Sequence, residues 1–273
     1  MINLNPISTP TVFKEYRTEG HSPLLVMGED SENYVIKNDK GRKPPYCILN
    51  EIIAAIFLPI WEVEIPNARL INLPVELLEN NRFSNNHKVH FYEGPVFASK
   101  HIVPVTDLNE FSFVNERKSF KKILNPDDLF KIALFDTWLE NDDRKPTNYN
   151  LLLQHIGNDK KIIPIDHAFI LSTLSYKDLN KNQYSPISNE QLLVSDFGRM
   201  IKRFTKIDKD FISNKKQMFY LCVKECVKEI KEYVIPLCSI FDISNDELEH
   251  LIDFLKDESR NKQVFEEFIY RLK

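Results

Sequence analysis

The segment from Asn141 to Leu153 reads N-D-D-R-K-P-T-N-Y-N-L-L-L and follows directly on an apolar run with helical spacing. Surface loops are often rich in Asn and Asp because both side chains stabilise turns, so the cluster has a purely structural explanation. Its spacing favours a functional one, since Asp143 precedes Asn148 by five residues and Asp166 follows after two short apolar runs. The rest of the chain decides between the two explanations.

Length and composition indicate a globular protein and exclude several classes. The 273 residues suffice for one large domain or two tightly joined lobes. Hydrophobic residues make up 42% of the chain and charged residues 28%, which is typical of soluble proteins. A formal net charge of −4 argues against a general nucleic-acid binder. No apolar run approaches the roughly 20 residues that cross a bilayer, and the N-terminus lacks the pattern of a signal peptide.

The cysteine pattern predicts reduced thiols. The four cysteines Cys47, Cys222, Cys226 and Cys238 form no C-x-x-C pair, and two of them lie one helical turn apart in an apolar segment. Such residues are usually buried free thiols. Reduced cysteines without an export signal predict a cytoplasmic location.

The first part of the chain is predicted to be rich in strands. Strand-like runs occur at Leu24–Met27 and Asn33–Lys37. The apolar spacing of Cys47–Phe57 indicates a helix. Further strands are expected at Val63–Leu73 and Pro95–Val103.

From Asp127 onward the pattern is mainly helical, beginning with a helix at Asp128–Leu139. Short strands at Leu151–Gln154 and Lys161–Ile165 flank a turn and would project Asp166 from a strand end. The later predicted helices are Asp196–Phe204, Lys215–Phe241, Ser244–Leu255 and Lys262–Leu272.

This order of elements permits phosphoryl transfer from ATP, which needs few groups. A glycine-bearing loop covers the phosphates, a strand lysine contacts them, and a helix glutamate orients the lysine. An aspartate receives the proton of the acceptor hydroxyl. An asparagine five residues later holds magnesium together with a second aspartate. The candidates for these groups, in chain order, are Gly20, Ser22, Lys37, Glu51, Asp143, Asn148 and Asp166.

Each candidate also has a structural explanation. A strand lysine is usually a solvated edge residue, a single glycine marks many turns, and Glu51 can occupy the exposed face of its helix. The D-R-x-x-x-N spacing often occurs by chance, and His167 is more often a packed histidine than a base. The functional interpretation depends on all the candidates occurring together, in order and on suitable elements.

A second aspartate motif, S-D-F-G at 195–198, competes with Asp166 for the metal. D-F-G is the metal-binding signature of ordinary protein kinases, but Asp196 follows Asp143 by 53 residues. Asp166 follows it by 23 residues and can return through a short hairpin. We therefore predict that Asp166 is the metal ligand and that Asp196 is the N-cap of a helix.

These motifs resemble those of HipA-like kinases. W-L-E-N-D-D-R-K-P-T-N-Y-N-L-L-L, followed by I-P-I-D-H-A-F, is similar to the catalytic segment of that family, and phosphoinositide lipid kinases share its D-R-x-x-x-N spacing. E-G-H-S-P-L-L-V-M, Y-V-I-K and N-E-I-I-A-A are similar to the start of compact HipA-like domains. The resemblance extends from Gly20 to Phe169.

The resemblance implies a two-lobed protein-kinase-like fold, ATP, magnesium, and transfer to a serine or threonine of a protein. It implies Asp143 as the base, Asn148 and Asp166 as metal ligands, and Lys37 as a phosphate ligand. The chain departs from the family at Lys145, where a histidine is common, and its loop has one glycine where fuller versions have more. Full-length HipA toxins carry an extra N-terminal subdomain that docks a DNA-binding antitoxin, so no antitoxin partner is assumed.

We predict an α+β, protein-kinase-like fold with a β-rich N-terminal lobe at 1–104 and a helical lobe at 105–273. The chain would be an ATP- and magnesium-dependent serine/threonine kinase acting on a protein substrate, without direct contact to nucleic acid or membrane. By analogy with a kinase hinge, the strand and turn that contain Ser99, Lys100 and His101 would bind adenine.

Other interpretations remain open at this stage. The same groups serve kinases of lipids or small molecules. A lipid substrate would favour an exposed basic or apolar membrane face, of which the sequence gives no obvious sign, and a solvated loop explains the small basic cluster Arg117–Lys122 as well. A nucleotide-binding pseudokinase is disfavoured because the catalytic candidates are all retained. A magnesium-dependent nuclease would leave Lys37 and Glu51 unexplained.

Overall fold

The computed structural model describes residues 2–16, 22–80, 83–108, 116–145, 148–184 and 192–273. Gly20, the predicted phosphate-loop glycine, lies outside these ranges. Within them a β-rich part precedes a mainly helical part, which confirms the predicted α+β class. The lobe boundary at residues 104 and 105 stays a prediction.

Strands dominate the first part of the described chain. Among the described residues, β1 to β6 form one sheet in the order β1-β5-β6-β4-β3-β2, in which the β1–β5 pair is parallel and the other pairs are antiparallel. Alternation explains the pairing of β3 with β4, since Leu24, Val26, Tyr34 and Ile36 are buried and their neighbours are not. The strands are β1 (Asn3–Ser8), β2 (Thr11–Glu15), β3 (Leu24–Met27), β4 (Asn33–Lys37), β5 (Ala68–Asn72), β6 (Val96–Lys100), β7 (Val105–Asp107), β8 (Leu151–Ile156) and β9 (Asp159–Pro164).

Helices form most of the second part. They are α1 (Tyr46–Ile60), α2 (Val75–Glu79), α3 (Glu116–Lys121), α4 (Asp128–Trp138), α5 (Asp196–Phe204), α6 (Lys209–Glu229), α7 (Cys238–Phe241), α8 (Asn245–Lys256) and α9 (Glu258–Leu272). Between α6 and α7 the chain forms a π-helical turn (Ile230–Val234) and then a 3₁₀ turn (Ile235–Leu237). In the part of the chain that the structure describes, no helix is both long and apolar enough to cross a membrane.

Helix α1 lies between the sheet and the helical part. All residues from Cys47 to Leu58 are buried, so the helix is enclosed on every side rather than amphipathic. It packs against β6 on one side and α6 on the other. After the helix ends, Trp61 stacks on Trp138 with ring centroids 5.7 Å apart and meets the edge of Phe219 at 6.0 Å. This packing fixes α1 to both parts of the molecule.

The β8–β9 hairpin places the two halves of the candidate site together. β7, β8 and β9 form an antiparallel sheet, and Gly157 supplies the left-handed turn between β8 and β9 with φ of 61°. Leu151 pairs with Pro164 at the open end of the hairpin. The residues just before β8 and just after β9 are therefore neighbours.

Some elements differ from the sequence-based expectation. The pattern does not predict β1 and β2, because both are edge strands with few buried residues. The strand expected at Val63–Leu73 pairs only from Ala68, and the helix expected from Lys215 begins at Lys209. Ser195, not Asp196, caps α5, since its hydroxyl accepts the N–H of Gly198 at 3.0 Å. The N-cap prediction for Asp196 was wrong.

Close packing leaves no room for a side chain at Gly198 of S-D-F-G. A Cβ added there would lie 2.0 Å from the carbonyl oxygen of Leu192 and 2.8 Å from the backbone of Leu193. Alanine is intrinsically the better helix former, but this clash makes the substitution destabilising. We expect Gly198→Ala to lower the free energy of unfolding by about 1–3 kcal/mol, the usual cost of overpacking. Urea denaturation measures this difference.

Gly94 provides the matched control, because a Cβ added there meets no atom within 4 Å. Gly94→Ala should change the free energy of unfolding by no more than about 0.5 kcal/mol. Equal effects of the two substitutions would contradict the packing explanation.

Candidate active site

Three of the predicted residues meet around one ammonium group. Lys37 lies at the end of β4, Glu51 on α1, and Asp166 just after β9. The Nζ atom of Lys37 lies 2.7 Å from Oε1 of Glu51 and 2.8 Å from Oδ1 of Asp166. Asp166 has a left-handed backbone with φ of 59°, a conformation uncommon outside functional sites and turns. The strand, the helix and the hairpin thus converge on the lysine.

Burial makes these charges interdependent. The side chain of Lys37 is 16% exposed and that of Glu51 only 5%. Burial by itself lowers the pKa of Lys37, but Asp166 and Glu51 outweigh it, so the pKa is raised and the lysine stays charged. Burial raises the pKa of Glu51, the charge of Lys37 opposes this, and Asp166 adds to the rise. A cavity lined in part by Phe97, Cys47 and Ala168 adjoins the pair.

Asp143 and Asn148 also come together, as their spacing predicts. The Nδ2 atom of Asn148 donates to Oδ2 of Asp143 at 3.2 Å, and the Nδ2 atom of Asn150 donates to the same oxygen at 2.9 Å. The backbones of Lys145 and Asn148 exchange two hydrogen bonds of 2.9 Å, which hold these two residues together. The N–H of Asp143 donates to the side chain of Asn141 at 3.2 Å.

Arg144 anchors this loop through a fully buried guanidinium group. Its Nε lies 2.5 Å from Oδ2 of Asp136 on α4, and its Nη1 donates to the carbonyls of Tyr149 and Asn150 at 2.7 Å each. Burial raises the pKa of Asp136, whereas Arg144 and Asn141 oppose that rise. Arg144 therefore holds the loop through both an ion pair and carbonyl contacts.

His167 connects the loop to the Lys37 cluster. Its backbone N–H donates to Oε2 of Glu51 at 3.1 Å. Its Nε2 atom lies 3.2 Å from Nη2 of Arg144. Because a guanidinium can only donate, Nε2 must accept and the ring proton sits on Nδ1. Burial and the charge of Arg144 lower the pKa of His167 well below its usual value, so the ring is neutral. The histidine is therefore a packed, hydrogen-bonding residue rather than a base.

Two further aspartates, Asp142 next to Asp143 and Asp196 in S-D-F-G, have contacts of their own. The N–H of Asp142 donates to the carbonyl of Phe169 at 3.2 Å, which links the loop to the segment after Asp166. The side chain of Asp196 is 74% exposed and pairs with Arg199 on the same helix at 2.5 Å. Asp196 is thus a surface residue, whereas Asp166 contacts Lys37.

The other predicted nucleotide contacts take part in hydrogen bonds or strand pairing within the N-terminal sheet region. Ser22 is buried and its hydroxyl accepts from Asn86 at 3.0 Å. Ser99 lies within the β6 ladder beside Val35, and the N–H groups of Lys100 and His101 donate to Asn67 and Asn33 at 2.7 and 2.8 Å. Those two N–H groups are therefore engaged in the sheet. Adenine binding near Ser99–His101 stays a prediction that depends on the turn after β6.

Sequence reasoning missed two residues that hold the site. The sequence does contain a signal for Asp136: a carboxylate inside the apolar run F-D-T-W needs a buried partner. Asn150, two residues after Asn148, carries no comparable signal. Cys47 beside the cavity is a free thiol, as all four cysteines are, and burial and Asp39 raise its pKa to about 12.

The donor set suits magnesium. Asn148 and Asp166 offer oxygen ligands at the open end of the hairpin, and Mg²⁺ typically takes only one or two protein ligands and completes its shell with phosphates and water. Over the described ranges, no group of three or more His, Cys, Asp and Glu side chains is arranged to hold a metal alone. The residues present thus fit a metal shared with phosphate groups.

The neutral state of His167 predicts a pH dependence of stability. The unfolded chain binds a proton at this histidine below about pH 6.5, whereas the folded protein does not. The free energy of unfolding should therefore fall as pH falls below about 6.5, by up to about 1.4 kcal/mol per pH unit from this group. In His167→Gln this component should be lost, which denaturation between pH 5 and 8 measures.

His90→Gln, at an exposed position, is the control and should keep the profile of the unmodified protein. A profile in His167→Gln as steep as that of the unmodified protein would refute the neutral, buried histidine.

The chain resembles known proteins in sequence and in fold. A family model described as HipA-like kinase matches residues 11–207. No curated protein matches the chain. The crystal structure of a Helicobacter pylori proinflammatory kinase, CtkA, is similar with a TM-score of 0.54 and 14% identity, over 98% of this chain and 99% of that one. A Golgi casein kinase crystallised with manganese and ADP gives a TM-score of 0.38 and 11% identity, over 94% and 74% of the two chains. The protein-kinase-like fold is confirmed, and the chain belongs to the HipA-like kinase family.

Proposed function

We propose that the chain is an ATP- and magnesium-dependent kinase that transfers the γ-phosphate to a serine or threonine of a protein. The observation that carries the proposal is the convergence of five charged or amide side chains at one end of the β8–β9 hairpin. They are Lys37, Glu51, Asp143, Asn148 and Asp166, from four separate elements or loops. A kinase needs these groups, and the family supplies the reaction class.

Lys37 would contact the α- and β-phosphates. Its ammonium carries a full charge and lies in a partly exposed position between two carboxylates. The N–H of His167 donates to Glu51 and fixes its carboxylate. Glu51 can therefore keep Lys37 in position when Asp166 binds the metal instead of the lysine. A fixed cation next to the bridging oxygens offsets the charge that develops on the leaving ADP.

Asp143 would orient the acceptor hydroxyl and receive its proton. The acceptor oxygen attacks the γ-phosphorus, the bond from that phosphorus to the β–γ bridging oxygen breaks, and ADP leaves. The amides of Asn148 and Asn150 bind one carboxylate oxygen of Asp143 and so restrict its rotation. Fixing this group before the reaction removes an entropic part of the barrier.

Asn148 and Asp166 would hold Mg²⁺, which neutralises phosphate charge in such sites. The choice of a protein hydroxyl as acceptor rests on family membership. A test with purified chain, labelled ATP and magnesium, and with acceptor proteins, lipid headgroups and small alcohols in parallel, identifies the acceptor class.

The adjacent aspartates give the sharpest test of the proposal. Asp143→Ala should lower phosphoryl transfer at least ~100-fold, the low end for loss of a general base. ATP affinity should change little, because Asp143 faces the acceptor rather than the nucleotide. The measurement is turnover and ATP binding on the same preparations.

Asp142→Ala is the matched control and should retain most of the activity, because the loop contact of Asp142 to Phe169 uses its backbone. Equal and large losses in both variants would mean that the pair acts jointly. Loss in Asp142→Ala alone would remove the strongest support for the proposed base.

A further inference from the structure

Two backbone segments flank the candidate site and pair with each other. The first, Leu139–Glu140, leads into the loop that carries Asp143. The second, Leu171–Ser172, follows the segment that carries Asp166. The N–H of Leu171 donates to the carbonyl of Leu139 at 2.5 Å, and the N–H of Ser172 donates to that of Glu140 at 3.1 Å. This pairing helps to set the distance between the loop and the metal segment, together with the hydrogen bond from Asp142 to the carbonyl of Phe169.

The paired segments are conformationally strained. Glu140, Leu171 and Ser172 have φ of 49°, 61° and 51°, in the left-handed region that side chains disfavour. Such a conformation is unfavourable and persists only where the surroundings hold it. Some group outside the two segments must therefore hold them.

One such group is Arg260 on α9. Its guanidinium is fully buried, and Nη2 donates to the carbonyl of Trp138 at 2.6 Å and to Oε1 of Glu140 at 2.9 Å. The other carboxylate oxygen of Glu140 accepts from the hydroxyl of Ser172 at 2.7 Å. The guanidinium lies 3.7 Å from the ring centroid of Phe254. One side chain thus reaches both paired segments, the first directly and the second through Glu140.

Stability alone explains this arrangement poorly. Nε and Nη1 of Arg260 have no hydrogen-bond partner among the described residues, although both are buried. A buried ion pair that leaves N–H groups unsatisfied recovers little of its desolvation cost, and apolar residues of similar size are often as stable or more so. A role in defining the local geometry is therefore a better explanation of the charged pair than a contribution to stability.

We propose that Arg260 is a positioning residue for phosphoryl transfer, which sets the register of the Asp143 loop against the Asp166 segment through Glu140. The inference rests on the proposed function. It also extends the catalytic unit, because α9 lies beyond residue 207, where the family match ends. The C-terminal helix would thus contribute to catalysis without touching the substrate.

The test uses the full chain and replaces both partners at once. In Arg260→Met/Glu140→Leu, apolar side chains of similar length fill the space and no buried charge is left alone, so the protein should fold with an unchanged or higher melting temperature. The rate of ADP formation at saturating Mg-ATP should fall at least 10-fold, while the KM for ATP stays within about 3-fold, since Lys37 and Glu51 are untouched.

Two further variants complete the experiment. Arg260→Lys keeps a cation that can donate to Trp138 and Glu140, and should recover a substantial part of the rate. Arg271→Met removes another guanidinium of α9, one that pairs with Glu267 on the same helix at 2.7 Å. It lies about 16 Å along the axis from Arg260, and it should leave the rate unchanged.

The outcomes separate the two proposals. An inactive unmodified protein that binds Mg-ATP would refute the proposed function, and the inference with it. An active unmodified protein together with a folded, equally active double variant would refute the inference alone. Loss of ATP binding in the double variant, or an Arg260→Lys variant as slow as the double variant, would also contradict the positioning role. If the double variant does not fold, the rates of ADP formation of Arg260→Lys and Arg271→Met are compared. A lower rate in Arg260→Lys supports the positioning role, and equal rates contradict it.

Discussion

The candidate site depends on one largely enclosed cation, Lys37, between two carboxylates. Lys37, Glu51 and Asp166 come from a strand, a helix and a loop that are distant in sequence, and the ammonium lies within 2.8 Å of both acids. Removing one partner from such a cluster leaves an uncompensated charge, which is strongly unfavourable at this degree of burial. The sheet, α1 and the β8–β9 hairpin are therefore constrained to meet at one point.

A second set of buried charges holds the loop that carries Asp143. Arg144 joins Asp136 of α4, two loop carbonyls and His167, and the backbone of His167 contacts Glu51. The hydrogen bond from His167 to Glu51 joins the two clusters. The position of Asp143 is therefore coupled to that of Lys37. Because α1 is enclosed between the sheet and α6, the glutamate cannot swing away without breaking the core. This favours a site assembled permanently by folding.

Local patterns predicted the parts of the fold that have local causes. The β3–β4 hairpin, α1, α4 and the β8–β9 hairpin follow from alternation or helical spacing, and the D-x-x-x-x-N spacing correctly joins Asp143 to Asn148. Contacts between distant segments left no local trace. Arg260 meets Glu140 from 120 residues away, and Ser22 bonds to Asn86 within the N-terminal part. The edge strands β1 and β2 were not predicted because they bury too few side chains to show alternation.

The central claim is that Asp166 at the hairpin, and not Asp196 in D-F-G, brings magnesium to the nucleotide. Calorimetric titration of ATP at increasing magnesium concentration tests it directly, on the unmodified protein and on Asp166→Asn and Asp196→Asn. ATP should bind more tightly as magnesium rises in the unmodified protein and in Asp196→Asn, whose carboxylate lies at the surface. In Asp166→Asn the magnesium dependence should be lost. Magnesium dependence retained in Asp166→Asn and lost in Asp196→Asn would contradict the account.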